Sequence, residues 1–197
     1  MDNLGDQTRI LIIDENPIRA AIIETGLREA GHDKVEWIRE TQNLLSQIAA
    51  IDPDVIVIDL GSANRDVLEQ MFQVSRLVKR PIAMFVDQSD SASIRDAMIA
   101  GVSAYVVDGL KKERVKPILD MCISRFNIFT RLQEELQEAK TALSDRKIIE
   151  RAKGILMARN NLSEQDAYAL LRKAAMNEKR RISEIAQAII MAESMLK

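Results

Sequence analysis

Two patterns alternate over the first two thirds of the chain. Short, nearly unbroken apolar runs rich in Val, Ile and Leu fall at residues 9–13, 34–38, 55–60, 82–86 and 104–107. Between them lie residues 18–29, 41–50, 65–78, 91–100 and 112–124, where apolar positions return every three or four residues. The runs predict strands. Three of them lack the polar alternation of a one-sided sheet, as expected for strands buried on both faces of a parallel sheet. The segments between predict helices, and five βα units over residues 8–124 imply an α/β fold with an open, doubly wound, five-stranded parallel sheet.

From Val115 the pattern changes. Val115, Ile118, Cys122, Phe129, Leu132, Leu136, Ala139 and Leu143 follow a three-and-four spacing with one break at Arg125, and residues 133–140 contain neither Gly nor Pro. This predicts a continuous helix over 115–143 with a heptad seam. Two readings of the seam stay open: a coiled coil that makes a homodimer, or a helix folded back onto the chain's own domain. After Leu143, three helical patterns follow. The first carries Ile148, Ala152 and Ile155 on one face and stops at Asn160-Asn161. The second starts at Ser163, which with Asp166 has capping-box spacing, and its apolar face is Ala167, Leu170, Leu171 and Ala174. The third starts near Arg181 and places Ile182, Ile185, Ala186 and Ile189 together. Residues 144–197 therefore predict a small three-helix bundle whose alanines allow close helix approach.

Charge separates this bundle from the rest. Residues 144–197 hold 11 Lys and Arg against 7 Asp and Glu, whereas residues 1–143 hold 17 against 23. A basic helical module on an acidic body reads as a regulator whose tail meets a polyanion; a dimerisation tail with a charged face is the plainer reading. One cysteine, Cys122, excludes an internal disulfide framework and suits a reducing compartment. The first residues lack an apolar signal core and no apolar run is long enough to span a bilayer, so a cytoplasmic location and no membrane partner are expected.

Candidate chemistry gathers at strand ends. Asp14 and Glu15 follow the first strand and Asp59 closes the third, so the three should meet at the carboxyl edge of the sheet. Like charges held together need a shared proton or cation, which makes the trio a candidate site for a hard divalent ion such as Mg²⁺. Alternatively, Asp14 caps the helix entered through Asn16-Pro17 and Asp59 opens a turn with Gly61. His32, in a Gly-His-Asp turn, is expected to be solvated. The chain has neither a Gly-x-Gly-x-x-Gly nor a Walker-type Gly-Lys-Ser/Thr loop, and no enzyme activity is expected.

Residues 8–124 resemble the receiver domain of two-component response regulators. The likeness rests on 10–15 (ILIIDE), 54–59 (DVIVID), 81–85 (PIAMF) and 101–105 (GVSAY). Residues 144–197 resemble the ANTAR RNA-binding domain of transcription antiterminators, through 149–159 (IERAKGILMAR), 162–172 (LSEQDAYALLR) and 181–186 (RISEIA). Residues 64–70 (NRDVLEQ), 81–85 and 101–107 (GVSAYVV) are similar to the antiterminators of bacterial nitrate-assimilation operons. The resemblance implies a flavodoxin-like sheet, a long coiled-coil helix and an RNA-binding bundle. It implies binding to tandem hairpins in nascent leader RNA, and control by a nitrate-sensing partner protein that sequesters the chain and releases it.

The RNA readers implied are Lys147, Arg151, Lys153, Arg159, Arg172, Lys173, Lys179, Arg180 and Arg181, with Tyr168 either stacking on a base or packing in the core. In the receiver pattern Asp59 is the phosphoacceptor, with a Ser or Thr ending the fourth strand and a Lys ending the fifth to read the phosphoryl group. Here those two switch positions hold Val86 and Asp108, and Lys111 and Lys112 lie out of register. Val86 offers no hydroxyl and Asp108 brings a like charge, so phosphorylation is not expected to be the main switch. A phosphorylation-activated regulator of the same RNA is the alternative. Specific duplex DNA binding is not expected, because the bundle lacks a convincing helix-turn-helix recognition helix.

Overall fold

Four consecutive residues show why the chain builds a two-faced sheet. Ile10 and Ile12 pack in one buried cluster while Leu11 and Ile13 pack in another. Successive side chains of a strand point to opposite faces, so one apolar run serves two cores. The computed structural model describes residues 8–40, 42–61, 65–107 and 111–195. Among them, strands β1 (Ile10–Ile13), β2 (Val35–Ile38), β3 (Val55–Gly61), β4 (Ile82–Val86) and β5 (Ala104–Val107) form one parallel sheet in the order β2-β1-β3-β4-β5. Helices α1 (Pro17–Glu29), α2 (Leu44–Ile51), α3 (Arg65–Leu77) and α4 (Ser91–Ile99) alternate with the strands, followed by α5 (Lys112–Asn160), α6 (Glu164–Glu178) and α7 (Ile182–Met195). The flavodoxin-like, doubly wound five-stranded sheet read from the sequence is the fold observed.

Helices cover both sides of the sheet. Leu44 and Ile48 of α2, Met71 and Phe72 of α3 and Ala97 of α4 pack on one face, and Ala20, Ile23 and Leu27 of α1 with Val115, Leu119 and Cys122 of α5 on the other. The connections change side between β1 and β3, which opens a crevice at the carboxyl ends of those two strands. Asn16 caps α1, its side chain accepting from the N–H groups of Ile18 and Arg19, and Pro17 occupies the first turn where no N–H is needed. At the other end, the His32 N–H reaches the Leu27 carbonyl at 3.0 Å and the Gly31 N–H the Arg28 carbonyl at 3.0 Å, with Gly31 at φ 89°. That Schellman turn folds the chain inward. His32 is consequently 3% exposed rather than solvated, and burial pushes its imidazole below the ordinary pKa.

Packing divides the chain into two units, one up to Thr130 and one from Arg131 onward. The seam of α5 is divided as well. Val115 and Cys122 are fully buried against the sheet and Ile118 packs beside them, whereas Phe129, Leu132, Leu136 and Leu143 are 55–59% exposed. The amino-terminal part of the expected coiled coil is therefore core of the sheet domain, because the helix-sheet interface uses the same three-and-four spacing as a helix pair.

In the second unit, Ala152 and Leu156 of α5, Ala167, Leu171 and Ala175 of α6, and Ile185, Ala186 and Ile190 of α7 form one buried cluster. Leu170, expected on the apolar face of α6, is instead 45% exposed, since the i, i+4, i+8 row of Ala167, Leu171 and Ala175 takes the centre. Ser163 caps α6 as its spacing predicts: its Oγ accepts the Asp166 N–H at 3.1 Å and donates to the Asp166 carboxylate at 2.6 Å. The Glu184 carboxylate accepts the Arg181 N–H at the start of α7. No helix among the described residues is long and apolar enough to cross a membrane.

Candidate functional site

The crevice at β1 and β3 brings Asp14 and Asp59 to the same edge of the sheet. Asp14 is 5% exposed; its Oδ1 accepts the Asn16 N–H at 2.8 Å, while Oδ2 has no partner. Burial raises its pKa against the pull of that hydrogen bond and of nearby Arg19. Asp59 is 2% exposed, and its Oδ1 accepts the Gly61 N–H at 3.2 Å. Of the two turn roles weighed for these carboxylates, the Asp59 turn with Gly61 is present, whereas the helix cap is Asn16 and Asp14 only accepts the N–H of that cap residue. The register shifts between Asp59 and Gly61, and Gly61 adopts φ 52°. This bulge, with Gly supplying the left-handed conformation, aims Asp59 into the crevice.

The cation at this edge is an arginine. Arg19, in the first turn of α1, donates from Nε to Asp59 Oδ2 at 3.1 Å and from Nη2 to Asp59 Oδ1, and its Nη1 lies 3.5 Å from Asp87 Oδ2. Glu15 is exposed and makes no third ligand. Among the described residues, no group of three or more His, Cys, Asp or Glu side chains is arranged to hold a metal ion. In place of the Asp14, Glu15 and Asp59 trio expected for Mg²⁺, the described side chains show Asp59 paired with the Arg19 guanidinium and Glu15 exposed. Val86 is buried at the end of β4, in the core rather than on the crevice surface, and Asp108 lies outside the described residues. Lys112 Nζ pairs with Glu29 Oε1 at 2.5 Å, so it is committed to α1. Arg19 went unread in the sequence. Its only signal is a cation three residues after the Asn16 cap, close to the acidic edge.

The basic candidates separate into three groups. Lys153 is 7% exposed and bridges Glu150 at 2.9 Å and Glu164 at 2.6 Å, which ties α5 to α6. Its ammonium is engaged by two carboxylates and largely buried, which sets it apart from the exposed cations expected to read RNA. Arg159 approaches Glu193, and Arg180 approaches Glu178 and Glu184, each at 3.5 Å and each with an exposed side chain. Lys147, Arg151, Arg172, Lys173, Lys179 and Arg181 are exposed, and no ion pair ties them down among the described residues.

Four of these six gather at the α6–α7 corner. A groove of about 650 Å³ has Ile149, Ala175 and Ile182 on its floor and Arg172, Lys179 and Arg181 on its rim. Around α6, a smaller depression of about 290 Å³ carries Tyr168, Arg172, Lys173 and Met176. Tyr168 is 43% exposed and lies outside the core cluster. Met176, 69% exposed, adds an apolar side chain to the same depression. Cations beside an aromatic face and an apolar floor give phosphate contacts and stacking surface together, the chemistry that single-stranded RNA loops need.

Residues 10–120 match the response regulator receiver domain, and residues 137–190 match the ANTAR domain. The chain belongs to the response regulator receiver family. Its second domain makes it a receiver-ANTAR regulator, and an ANTAR domain implies RNA binding. The chain is 25% identical over 182 residues to the transcriptional regulatory protein PdtaR of Mycobacterium tuberculosis, covering 92% of this chain and 89% of that one. It is 26% identical over 167 residues to the nitrate regulatory protein of Klebsiella oxytoca, covering 85% of this chain but 36% of that one. In fold alone, it matches the signal receiver domain of a modulated diguanylate cyclase from Desulfovibrio desulfuricans G20, at TM-score 0.53 and 16% identity over 62% of this chain and 98% of that one.

Proposed function

We propose that this receiver-ANTAR regulator is a transcription antiterminator that binds tandem hairpins in nascent leader RNA. It acts by binding and not by turnover. Two copies pair along the exposed part of the α5 seam, so that two bundles meet two hairpins, and such linkage can raise affinity by ~10²–10⁴-fold over a single site. A sensor partner, rather than phosphorylation of Asp59, controls access to the RNA. Likeness to the nitrate regulatory protein of Klebsiella oxytoca points to genes of nitrate and nitrite assimilation as targets and to a nitrate-sensing partner. The missing hydroxyl at Val86 and the ion pair on Asp59 support partner control.

The observation that carries the reading is the α6–α7 corner, where Tyr168, Arg172, Lys173, Lys179 and Arg181 stand exposed on one small domain. The test is a gel-shift of the unphosphorylated chain against a two-hairpin leader RNA and a duplex DNA of equal charge. Hairpin-dependent binding without a phosphoryl donor is expected, and Arg172→Ala with Lys179→Ala should weaken it at least about tenfold. Equal affinity for the duplex DNA overturns the RNA reading. Binding that appears only with acetyl phosphate, and only when Asp59 is intact, overturns partner control alone.

A further inference from the structure

We propose that Arg19 is a resident counter-cation: its guanidinium takes the place between the strand-end carboxylates that a divalent ion would need, and holds Asp59 closed. The claim deepens the reading that Asp59 is not the switch, and RNA binding is measured separately, so either can fail alone.

Three observations carry it. First, the guanidinium fork engages both oxygens of Asp59, while its third nitrogen faces Asp87. With the Gly61 N–H also on Oδ1, three of about four lone-pair sites of the Asp59 carboxylate are in use. A metal ion or an incoming phosphoryl group needs those same lone pairs. Second, the backbone is shaped around the arginine. A Cβ at Gly61 would collide with Nη1 of Arg19, so the one residue without a side chain stands where the guanidinium passes. Third, the pair is sheltered. The Asp59 side chain is fully buried and that of Arg19 is 26% exposed, so water and salt screen their attraction little. A divalent ion entering here would meet a fixed positive charge instead of an acidic well.

The chain carries its own reporter. Trp37, its single tryptophan, donates from its indole N–H to the Asp14 carbonyl oxygen at 2.8 Å. Mg²⁺ alone is titrated into the intact protein while Trp37 emission is followed. Wild type should stay flat. Arg19→Met, which keeps an apolar stem and removes the charge, should give a saturating change with at least about tenfold tighter Mg²⁺ binding. Adding Asp59→Asn to Arg19→Met should abolish that change. A wild-type chain that saturates as Arg19→Met does overturns the proposal, and so does a flat response from an Arg19→Met chain whose circular dichroism is native. If Arg19→Met fails to fold, the melting temperature of Asp59→Asn decides. It falls if Asp59 is the partner of a buried guanidinium, and rises if Asp59 belongs to an uncompensated acidic cluster, which is the overturning result.

Discussion

Lys153 shows how one side chain can change meaning between sequence and structure. On a basic helix it reads as a phosphate contact, yet its ammonium sits between Glu150 and Glu164, and those hydrogen bonds raise the Lys153 pKa and lower that of Glu164. Replacing it with Met should lower the melting temperature of the second unit and leave RNA affinity nearly unchanged, in contrast to Arg172→Ala. The pH dependence has a definite sign. The Glu164 contribution is fully present above its unfolded pKa near 4.5 and is lost as pH falls through its depressed folded value. The Lys153 contribution is fully present below its unfolded pKa near 10.5 and is lost as pH rises through its raised folded value. Thermal melts across pH should therefore show wild type exceeding Lys153→Met by most in the plateau between these limits. An equal gap at pH 3 would sink the clamp.

At the level of elements, the turn between α6 and α7 carries an unusual residue. Four non-glycine residues adopt positive φ among those described: Asn43, Asp52, Asn161 and Lys179. Asn and Asp tolerate that region well, whereas a lysine at a helix C-cap stands where glycine is favoured. Lys179 caps α6 at φ 54° with its N–H on the carbonyls of Ala175 and Met176. A non-glycine residue held at this positive φ costs stability, and its side chain lies on the rim of the basic groove. Lys179→Gly should stabilise the unit by roughly 1 kcal/mol in urea unfolding while weakening hairpin binding. Loss of stability in that variant would assign Lys179 a structural role instead.

On the scale of the whole molecule, α5 links a sheet domain to a basic bundle and leaves Phe129, Leu132, Leu136 and Leu143 exposed along the way. In the proposed function this apolar row is the dimer contact, since a second copy supplies the same spacing. Leu132→Lys with Leu136→Lys should convert a dimer to a monomer in sedimentation. The same pair of changes should cost most of the two-hairpin affinity while sparing a single hairpin. A wild-type chain that sediments as a monomer at micromolar concentration would remove the dimer from the proposal.

The sequence alone determined the alternation of strands and helices, the parallel sheet and the place of Asp14 and Asp59 at its edge, because burial on two faces and helical spacing are written in local residue order. It determined the capping at Ser163 for the same reason. Only the tertiary structure decided which face of α5 turns inward. A three-and-four spacing fits a sheet and a second helix equally, so Val115 and Cys122 could not be told from Leu132 and Leu136 beforehand. The inward turn of His32, the clamp at Lys153 and the guanidinium on Asp59 were decided there too. The first depends on the α1 C-cap turn folding back on Leu27; the other two depend on what crosses from another element, with α6 bringing Glu164 to α5 and the Gly61 bulge presenting Asp59 to Arg19 from 40 residues away along the chain.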